Sequence, residues 1–352
     1  MAEDDTSAWR AGPLAAARRW LWATFALSVG AVGAAVVWSP PLGASPVIPL
    51  ALLIFVGSSV HVASTAWIYT QPEVRAMARR HSLRYVWGPV GLVVGSATLA
   101  TFLTPPAFVW LLLPYFSWQF FHFTKQNLGL AALSATSHQV APLGQAERRA
   151  LIGSGLAGIL GLLAHPALLQ LALPVRAGRL FVPAGVLFAL CGLVGLVALL
   201  RRPARDRPAG FCAMYGSALV FSLPIFLFAR PYAAVGGMTM AHGLQYLLLI
   251  GVVASGVRTA PRRTFTLTVL INLALIGGVL LSAASHLHGA PPAGRCLFGA
   301  YLGLVMAHFV IDAGFWRLRD PFPRSFLARH IPFLFPLAGS LADASWADIG
   351  SR

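Results

Sequence analysis

Charged residues are scarce in this chain, and most of those present carry one sign. Only 10% of the 352 residues are charged, whereas 57% are hydrophobic, and 10 Asp and Glu stand against 26 Lys and Arg. A chain this poor in charge does not form an ordinary soluble globular domain. The composition predicts an integral membrane protein whose main partner is the lipid bilayer.

Cysteine is also rare, and several familiar motifs are missing. Cys191, Cys212 and Cys296 lie singly in the sequence without paired spacing, which argues against a disulfide framework and a zinc finger. The HExxH motif is absent, and so are the clustered HxxxH and HxxHH boxes of membrane desaturases. No long polar stretch indicates a separate soluble domain.

Apolar runs long enough to cross a bilayer make up most of the sequence. A backbone in lipid must satisfy its own hydrogen bonds, and alternating strand patterns are absent, so we expect an all-α, polytopic transmembrane helical bundle. Residues 1–19 are predicted as a cytoplasmic N-terminal segment, 20–316 as the transmembrane domain and 317–352 as a cytoplasmic interfacial tail. About ten spans are predicted, at 20–38, 47–69, 85–104, 107–133, 150–171, 179–200, 211–229, 232–257, 265–284 and 296–316.

The arginines indicate the orientation of the bundle. They cluster in alternate loops, for example at 75–84, 201–207 and 258–263, whereas the opposite loops hold few. The positive-inside rule therefore places both termini in the cytoplasm of a multi-pass protein of the cell inner membrane. Because the basic charge follows the loops, it indicates attraction to anionic lipid head groups and no nucleic-acid partner.

Ionisable residues inside the predicted spans are the strongest functional signal, because each is costly in lipid. Four histidines lie in spans that run in the same direction, roughly 8 to 15 residues before the cytoplasmic end of each helix. At this matched depth they can meet, so we expect one shared metal site. The predicted ligands are His61, His122, His242 and His308.

Polar residues follow each of these histidines by three or four positions, on the same helix face. Metal-bound imidazoles need such partners on their second nitrogen. Thr65, Gln126 and Gln245 are predicted to support the cofactor in this way. Asp312, Lys125 and Tyr246 are predicted to take part in catalysis by tuning the site or relaying protons.

Lys125 is the only lysine in the chain, and Asp312 is the only carboxylate within a predicted span. Each lies about one helical turn below a histidine, so the two charges could neutralise each other beneath the histidine layer. Two alternatives remain open. In the first, Asp312 is a metal ligand or a base and Lys125 binds an anionic group. In the second, Lys125 forms a Schiff base with an aldehyde.

Imidazole ligands with one carboxylate suit a transition metal and argue against magnesium or calcium. A single carboxylate is too few for a carboxylate-bridged di-iron centre. Iron without haem is the favoured cofactor. Haem with two axial histidines, copper and zinc are the alternatives, and the nearby Met238, Met240 and Met306 slightly favour copper.

The layout of the four span histidines resembles that of the bacterial membrane-embedded beta-carotene dioxygenases. That resemblance implies one iron held by intramembrane histidines and a reaction of O₂ with a lipophilic polyene. The blocks "WQFFHFTKQNLGL", "AHGLQYLLL" and "AHFVIDAGFWRLRDP" depart from that family's motifs, so its substrate and reaction do not carry over. They look instead like blocks of uncharacterised bacterial integral membrane proteins.

These observations together predict a membrane metal-dependent oxidoreductase that uses O₂ on a lipophilic substrate such as a lipid or isoprenoid. Aromatic residues of the fourth predicted span, among them Trp110, Trp118 and Phe121, suit an apolar chain. An electron donor is a further expected partner. The alternatives are a haem- or copper-binding redox or sensor protein and a proton-coupled transporter.

Overall fold

The computed structural model describes residues 5–41, 43–171, 173, 177–256 and 260–334. Every regular element in these ranges is helical, which confirms the all-α prediction. Parts of three predicted segments lie outside the described residues: 1–4 of the N-terminal segment, 257 of the eighth span and 335–352 of the tail. The arginine Arg258 also lies outside them.

Thirteen helices are labelled here in chain order, with π-helical and 3₁₀ turns merged into the long helices that contain them. They are α1 (Asp5–Trp38), α2 (Ile48–Thr70), α3 (Pro72–Arg80), α4 (Leu83–Phe102), α5 (Pro105–Ser137), α6 (Gln145–Ala164), α7 (Phe181–Leu200), α8 (Ala209–Leu219), α9 (Pro224–Leu227), α10 (Tyr232–Ser255), α11 (Ala260–Ser285), α12 (Pro292–Phe315) and α13 (Pro321–His330).

Seven helices in the described ranges are long and apolar enough to cross a membrane, which makes this a multi-pass membrane protein. They correspond to α1, α2, α4, α7, α10, α11 and α12, and two of them include a neighbouring 3₁₀ turn, before α7 and after α11. The other three predicted spans are also helical, as α5, α6 and the pair α8 and α9. However, α6 begins with Glu147, Arg148 and Arg149, and α8 has only 11 residues. The count of about ten spans and the orientation of the termini therefore stay predictions.

The packing places α10 at the centre of the bundle. Two thirds of its apolar window is buried, against 17% for α4 and α7. α1 packs along α10, α11 packs behind α2, and α4 packs along α12. Imidazoles carried by α2, α5, α10 and α12 are consequently kept away from the lipid-facing surface.

A close crossing of α2 and α10 lies beside two of the histidines. A Cβ on Gly57 would approach the Cα of Met240 to 2.6 Å, and a Cβ on Gly243 would overlap the backbone of Gly57. Small residues let helix backbones approach in this way. Because Gly57 precedes His61 by one turn and Gly243 follows His242 directly, the crossing brings those two imidazoles together.

π-helical turns lie close to the same region. One spans Val56–Val60 and ends at the residue before His61, and another spans Tyr232–Gly236 at the start of α10. A π-turn adds one residue to a helical turn and so rotates the side chains that follow, and such turns are frequent at functional sites.

Candidate metal centre

Four imidazoles from four helices meet in the core. His61 comes from α2, His122 from α5, His242 from α10 and His308 from α12, and their exposure lies between 0% and 7%. The ring centroids are 5.0 Å apart for His61 and His242, and 5.0 Å apart for His61 and His308. Those of His122 lie 4.9 Å from His242 and 5.2 Å from His308. The structure thus brings together the four histidines that the sequence predicted to meet.

The four ring centroids form two triangles that share His242 and His308. The centroids of His242 and His308 are 6.5 Å apart, with His61 and His122 between them. A point equidistant from the centroids of His61, His242 and His308 lies about 3.3 Å from each, and the triangle through His122 has nearly the same radius. A metal about 2.0–2.1 Å from a ring nitrogen lies roughly 3.2 Å from the ring centre, so the spacing fits a shared ion.

Most of the ring nitrogens have no hydrogen-bond partner among the described residues. This holds for both nitrogens of His61 and of His242, and for Nε2 of His122 and of His308. The carbonyl groups of Gly57 and Ser58 lie near His61, but without normal hydrogen-bond geometry. Buried polar atoms are almost always paired, since each one left unpaired costs about 1–3 kcal/mol. Since only one nitrogen of each ring can face a shared ion, up to four of these six nitrogens, one from each histidine, could bind it.

Asp312 lies on the same cluster, one turn after His308 in α12. Its Oδ2 is 3.4 Å from Nε2 of His308 and 3.9 Å from Nε2 of His122, and it is also buried without a hydrogen bond. One ligand atom from each of His122, His308 and Asp312 lies within 4.8 Å of the others, and the same holds for His61, His242 and His308. Asp312 therefore lies where a metal ligand would, one of the alternatives left open by the sequence.

A chain of hydrogen bonds fixes the tautomer of His308. Tyr246 donates its hydroxyl proton to Oδ1 of Asp312 at 3.2 Å. Its oxygen must therefore accept from Thr65 Oγ1, 3.1 Å away. Thr65 in turn must accept from Nδ1 of His308, at 2.7 Å. With the proton on Nδ1, the lone pair on Nε2 of His308 is free for a metal, as in many histidine-metal sites.

The supporting residues partly differ from those predicted. Thr65 and Tyr246 join the network, but Thr65 contacts His308 of another helix and not His61, which precedes it by one turn. Gln126 and Gln245 bond to no imidazole among the described contacts. Gln126 donates to the backbone oxygen of His242 and to Gln245 Oε1, and Gln245 donates to Ser28 in α1. Their amides are long enough to reach the neighbouring helix, so they hold α5, α10 and α1 together.

The structure does not place Lys125 beside Asp312, which was one of the arrangements that the sequence left open. Lys125 is exposed, whereas Asp312 is 4% exposed, and the ion pairs of Asp312 in the described part of the chain involve only His122 and His308. The physical reason is the 100° rotation per residue in an α-helix. Gln126 points inward from α5, and its neighbour Lys125 is turned outward, where its long side chain can reach water.

Two phenylalanines cover the imidazoles: Phe123, one of the aromatic residues of the fourth predicted span, and Phe309, which the sequence did not single out. Phe123 stacks on His242 with ring centroids 4.1 Å apart, and Phe309 stacks on His122 at 4.6 Å. Each directly follows a site histidine, so the repeated His-Phe pair in "HFTKQ" and "HFVID" was the available signal. Each ring covers a histidine of a different helix, which the sequence alone does not reveal.

The fold and the site define a multi-pass membrane protein with a buried group of histidines and an aspartate at metal-binding distances. No protein-family model, curated protein or solved structure matches the chain. Any assignment of function therefore rests on the site itself.

Proposed function

We propose that the chain is an integral membrane metal-dependent oxidoreductase with one transition metal held by His61, His122, His242 and His308. The carrying observation is the contact between His308 Nε2 and Asp312 Oδ2, at 3.4 Å with no hydrogen bond. Thr65 holds the proton of His308 on Nδ1, so a lone pair faces a carboxylate oxygen. Two such atoms repel each other unless a cation or a proton lies between them.

A metal accounts for more of the site than a proton does. One proton can satisfy one pair of atoms, but six ring nitrogens and one carboxylate oxygen are without partners here. A single ion can take lone pairs from His61, His242 and His308, or from His122, His308 and Asp312, because the ligand atoms within each of these groups lie within 4.8 Å of one another. The Nδ1 atoms of His61 and His242 that would face away remain to be satisfied by water or by small movements of the backbone carbonyls.

The ligand types favour non-haem iron. His122, His308 and Asp312 supply two imidazoles and one carboxylate, the set used by many iron oxygenases. Haem fits poorly, because His61 and His122 lie between His242 and His308, where the porphyrin of a bis-histidine haem would have to be. No cysteine thiolate, a soft ligand that would favour copper(I), belongs to the groups at metal-binding distance in the described residues.

We further propose that the substrate is lipophilic and reacts with O₂. A bound redox metal would supply the oxygen chemistry. The chain would position Asp312 through Tyr246, orient His308 through Thr65 and exclude bulk water with Phe123 and Phe309. Trp118 contacts Phe309 with ring centroids 5.9 Å apart and is 36% exposed, so a lipid or isoprenoid chain could approach from this side.

We retain the proposal of about ten spans with both termini in the cytoplasm of the inner membrane. The 33 residues of α5 could extend about 50 Å at 1.5 Å per residue, enough to cross a bilayer. His122 of α5 contacts histidines of α10 and α12, both of which are long and apolar enough to cross. This supports a membrane-spanning course for α5 as well.

Metal analysis of the purified protein tests the proposal. Protein in mild detergent should carry about one transition metal per chain and show no Soret band, and His242→Ala should lose the metal. His286→Ala is the matched control, because His286 is exposed and outside the site. Wild-type protein free of metal, and unable to bind added Fe²⁺, would rule out the centre and favour a proton shared by His308 and Asp312, as in a transporter.

A further inference from the structure

A strongly basic surface covers the end of the bundle at which Asp312 lies. We define the basic cap as residues 72–84 and 317–330, which contain eight arginines and two acidic residues. Both acids are already engaged, since Glu73 pairs with Arg329 at 2.5 Å and Asp320 pairs with Arg317 at 3.7 Å. The cap therefore presents a net positive charge. Its exposed arginines include Arg79, Arg80 and Arg324.

The basic cap is part of the same packed core as the site. Val74 and Met77 of α3 and Phe326 of α13 share one apolar cluster with Tyr246 and Phe315. The Glu73–Arg329 pair links α3 to α13. A partner bound to the cap would consequently lie directly over the helices that carry the candidate ligands.

One aromatic residue joins the cap to the site. Trp316 ends α12 and is only partly buried. Its ring lies 6.0 Å from that of Tyr246, measured between centroids, and the Tyr246 ring lies 5.2 Å from that of His308. Nε1 of Trp316 is buried and lies near the Asp312 carboxylate and the Tyr246 hydroxyl, without normal hydrogen-bond geometry. Because electron tunnelling weakens steeply with distance, these neighbouring rings offer a short route from the cap to a candidate ligand.

We propose that an acidic, soluble one-electron carrier protein binds the basic cap and reduces the metal through Trp316 and Tyr246. This rests on the proposed redox function of the centre. In the step, the carrier is oxidised by one electron and the metal is reduced by one electron, while no covalent bond forms or breaks. Charge complementarity would steer the two proteins together, and the contact need only be small, as is usual for electron-transfer partners.

The competing occupant of the cap is anionic lipid, because arginines at the end of a bundle also attract head groups. The aromatic route favours the carrier, since lipid binding accounts for a tryptophan at the end of a span but not for its contact with the buried Tyr246 beside a candidate ligand. The experiment below separates the two occupants.

The test uses metal-loaded protein in nanodiscs of zwitterionic lipid, mixed with a reduced acidic plant-type [2Fe–2S] ferredoxin as the probe. Stopped-flow absorbance should show ferredoxin oxidation at a rate that falls with ionic strength. Combining Arg79→Glu with Arg80→Glu should lower the second-order rate constant at least about tenfold, as loss of steering predicts. Arg179→Glu, an exposed site outside the cap, should leave it unchanged. Reduction by a neutral quinol should be unaffected by all three changes.

The route is tested at saturating ferredoxin. Trp316→Leu should lower the limiting rate several-fold, whereas Trp22→Leu, which alters an exposed tryptophan of α1 outside the route and the site, should not. Metal content is measured for every variant. Loaded protein that ferredoxin cannot reduce, or equal rates in both tryptophan variants, would overturn this inference while leaving the metal centre intact. A reaction abolished by anionic-lipid nanodiscs would assign the cap to lipid. Protein without metal would overturn both proposals.

Discussion

At the scale of single residues, the site is organised around Asp312. Its Oδ1 accepts from Tyr246, which leaves Oδ2 toward His122 and His308. The i, i+4 spacing of His308 and Asp312 places both on one face of α12. The hydrogen-bond chain through Thr65 and Tyr246 then fixes which atoms of the pair face each other. One short helical segment therefore supplies two candidate ligands with their orientation already set.

The first prediction separates Asp312 from Lys125. Asp312→Asn should lower metal occupancy strongly, because the charged ligand oxygen is lost. Lys125→Met should change stability by no more than about 0.5 kcal/mol, because Lys125 is exposed. Metal content and thermal unfolding of both single variants and the double variant are the measurements. The double variant should match Asp312→Asn, and recovery of metal binding in it would show that the two charges are paired after all.

At the scale of helices, the crossing of α2 and α10 decides whether the site can assemble. The backbones meet at Gly57 and Gly243, where an added methyl group has no room. His61 and His242 lie on either side of this crossing. Their distance depends on the separation of the helices, and α11 packs against the other side of α2. The crossing is therefore held from both sides.

The second prediction concerns this crossing. Gly243→Ala should force α2 and α10 apart, cost on the order of 1–3 kcal/mol and weaken metal binding. Gly251→Ala, in the same helix, is the control, since a Cβ there would meet nothing within 4 Å. It should leave the metal in place. Chelator competition and thermal unfolding measure the two effects, and equal metal affinity in both variants would contradict the role of the crossing.

At the scale of the whole molecule, the site joins helices that are far apart in sequence. The four histidines extend from residue 61 to residue 308, and Gln126 and Gln245 connect α5 and α10 to Ser28 of α1. An ion pair holds helices together in the opposite part of the bundle. Glu147 of α6 binds Arg202 after α7 through two hydrogen bonds, and this bond raises the pKa of the Arg202 guanidinium. A bound metal should consequently stabilise the histidine half most directly.

The third prediction is that metal removal destabilises the folded protein. A ligand present at about 1,000 times its Kd stabilises the folded state by roughly 4 kcal/mol. Chelation should therefore lower the thermal midpoint of the wild-type protein and of His286→Ala. The midpoint of His242→Ala should not respond to chelator, because that variant should already lack metal. A chelator effect of equal size in His242→Ala would place the stabilising ion elsewhere.

Composition and spacing by themselves indicated the membrane class, the helical fold and the four histidines as candidate metal ligands. A chain with few charges and long apolar runs lies in lipid, where only helices that satisfy their own backbone hydrogen bonds are stable. An imidazole is costly in lipid, so its presence in a span indicates a function. Matched depth followed from counting residues at 1.5 Å each. Depth, however, says nothing about the rotation of a helix about its axis. Whether Lys125 or Gln126 points inward is decided by how α5 packs against its neighbours.

Tertiary structure also decided which partner each side chain meets. Thr65 bonds to His308 and not to His61, and Phe123 covers His242 and not His122, because these contacts cross between helices. The approach of α2 to α10 arises where Gly57 lies opposite Gly243, and neither glycine identifies its partner within its own segment. Sequence patterns report local periodicity, whereas the pairing of helix faces depends on packing over the whole bundle. That packing placed Asp312 at metal-binding distance from His122 and His308 and Lys125 on the surface.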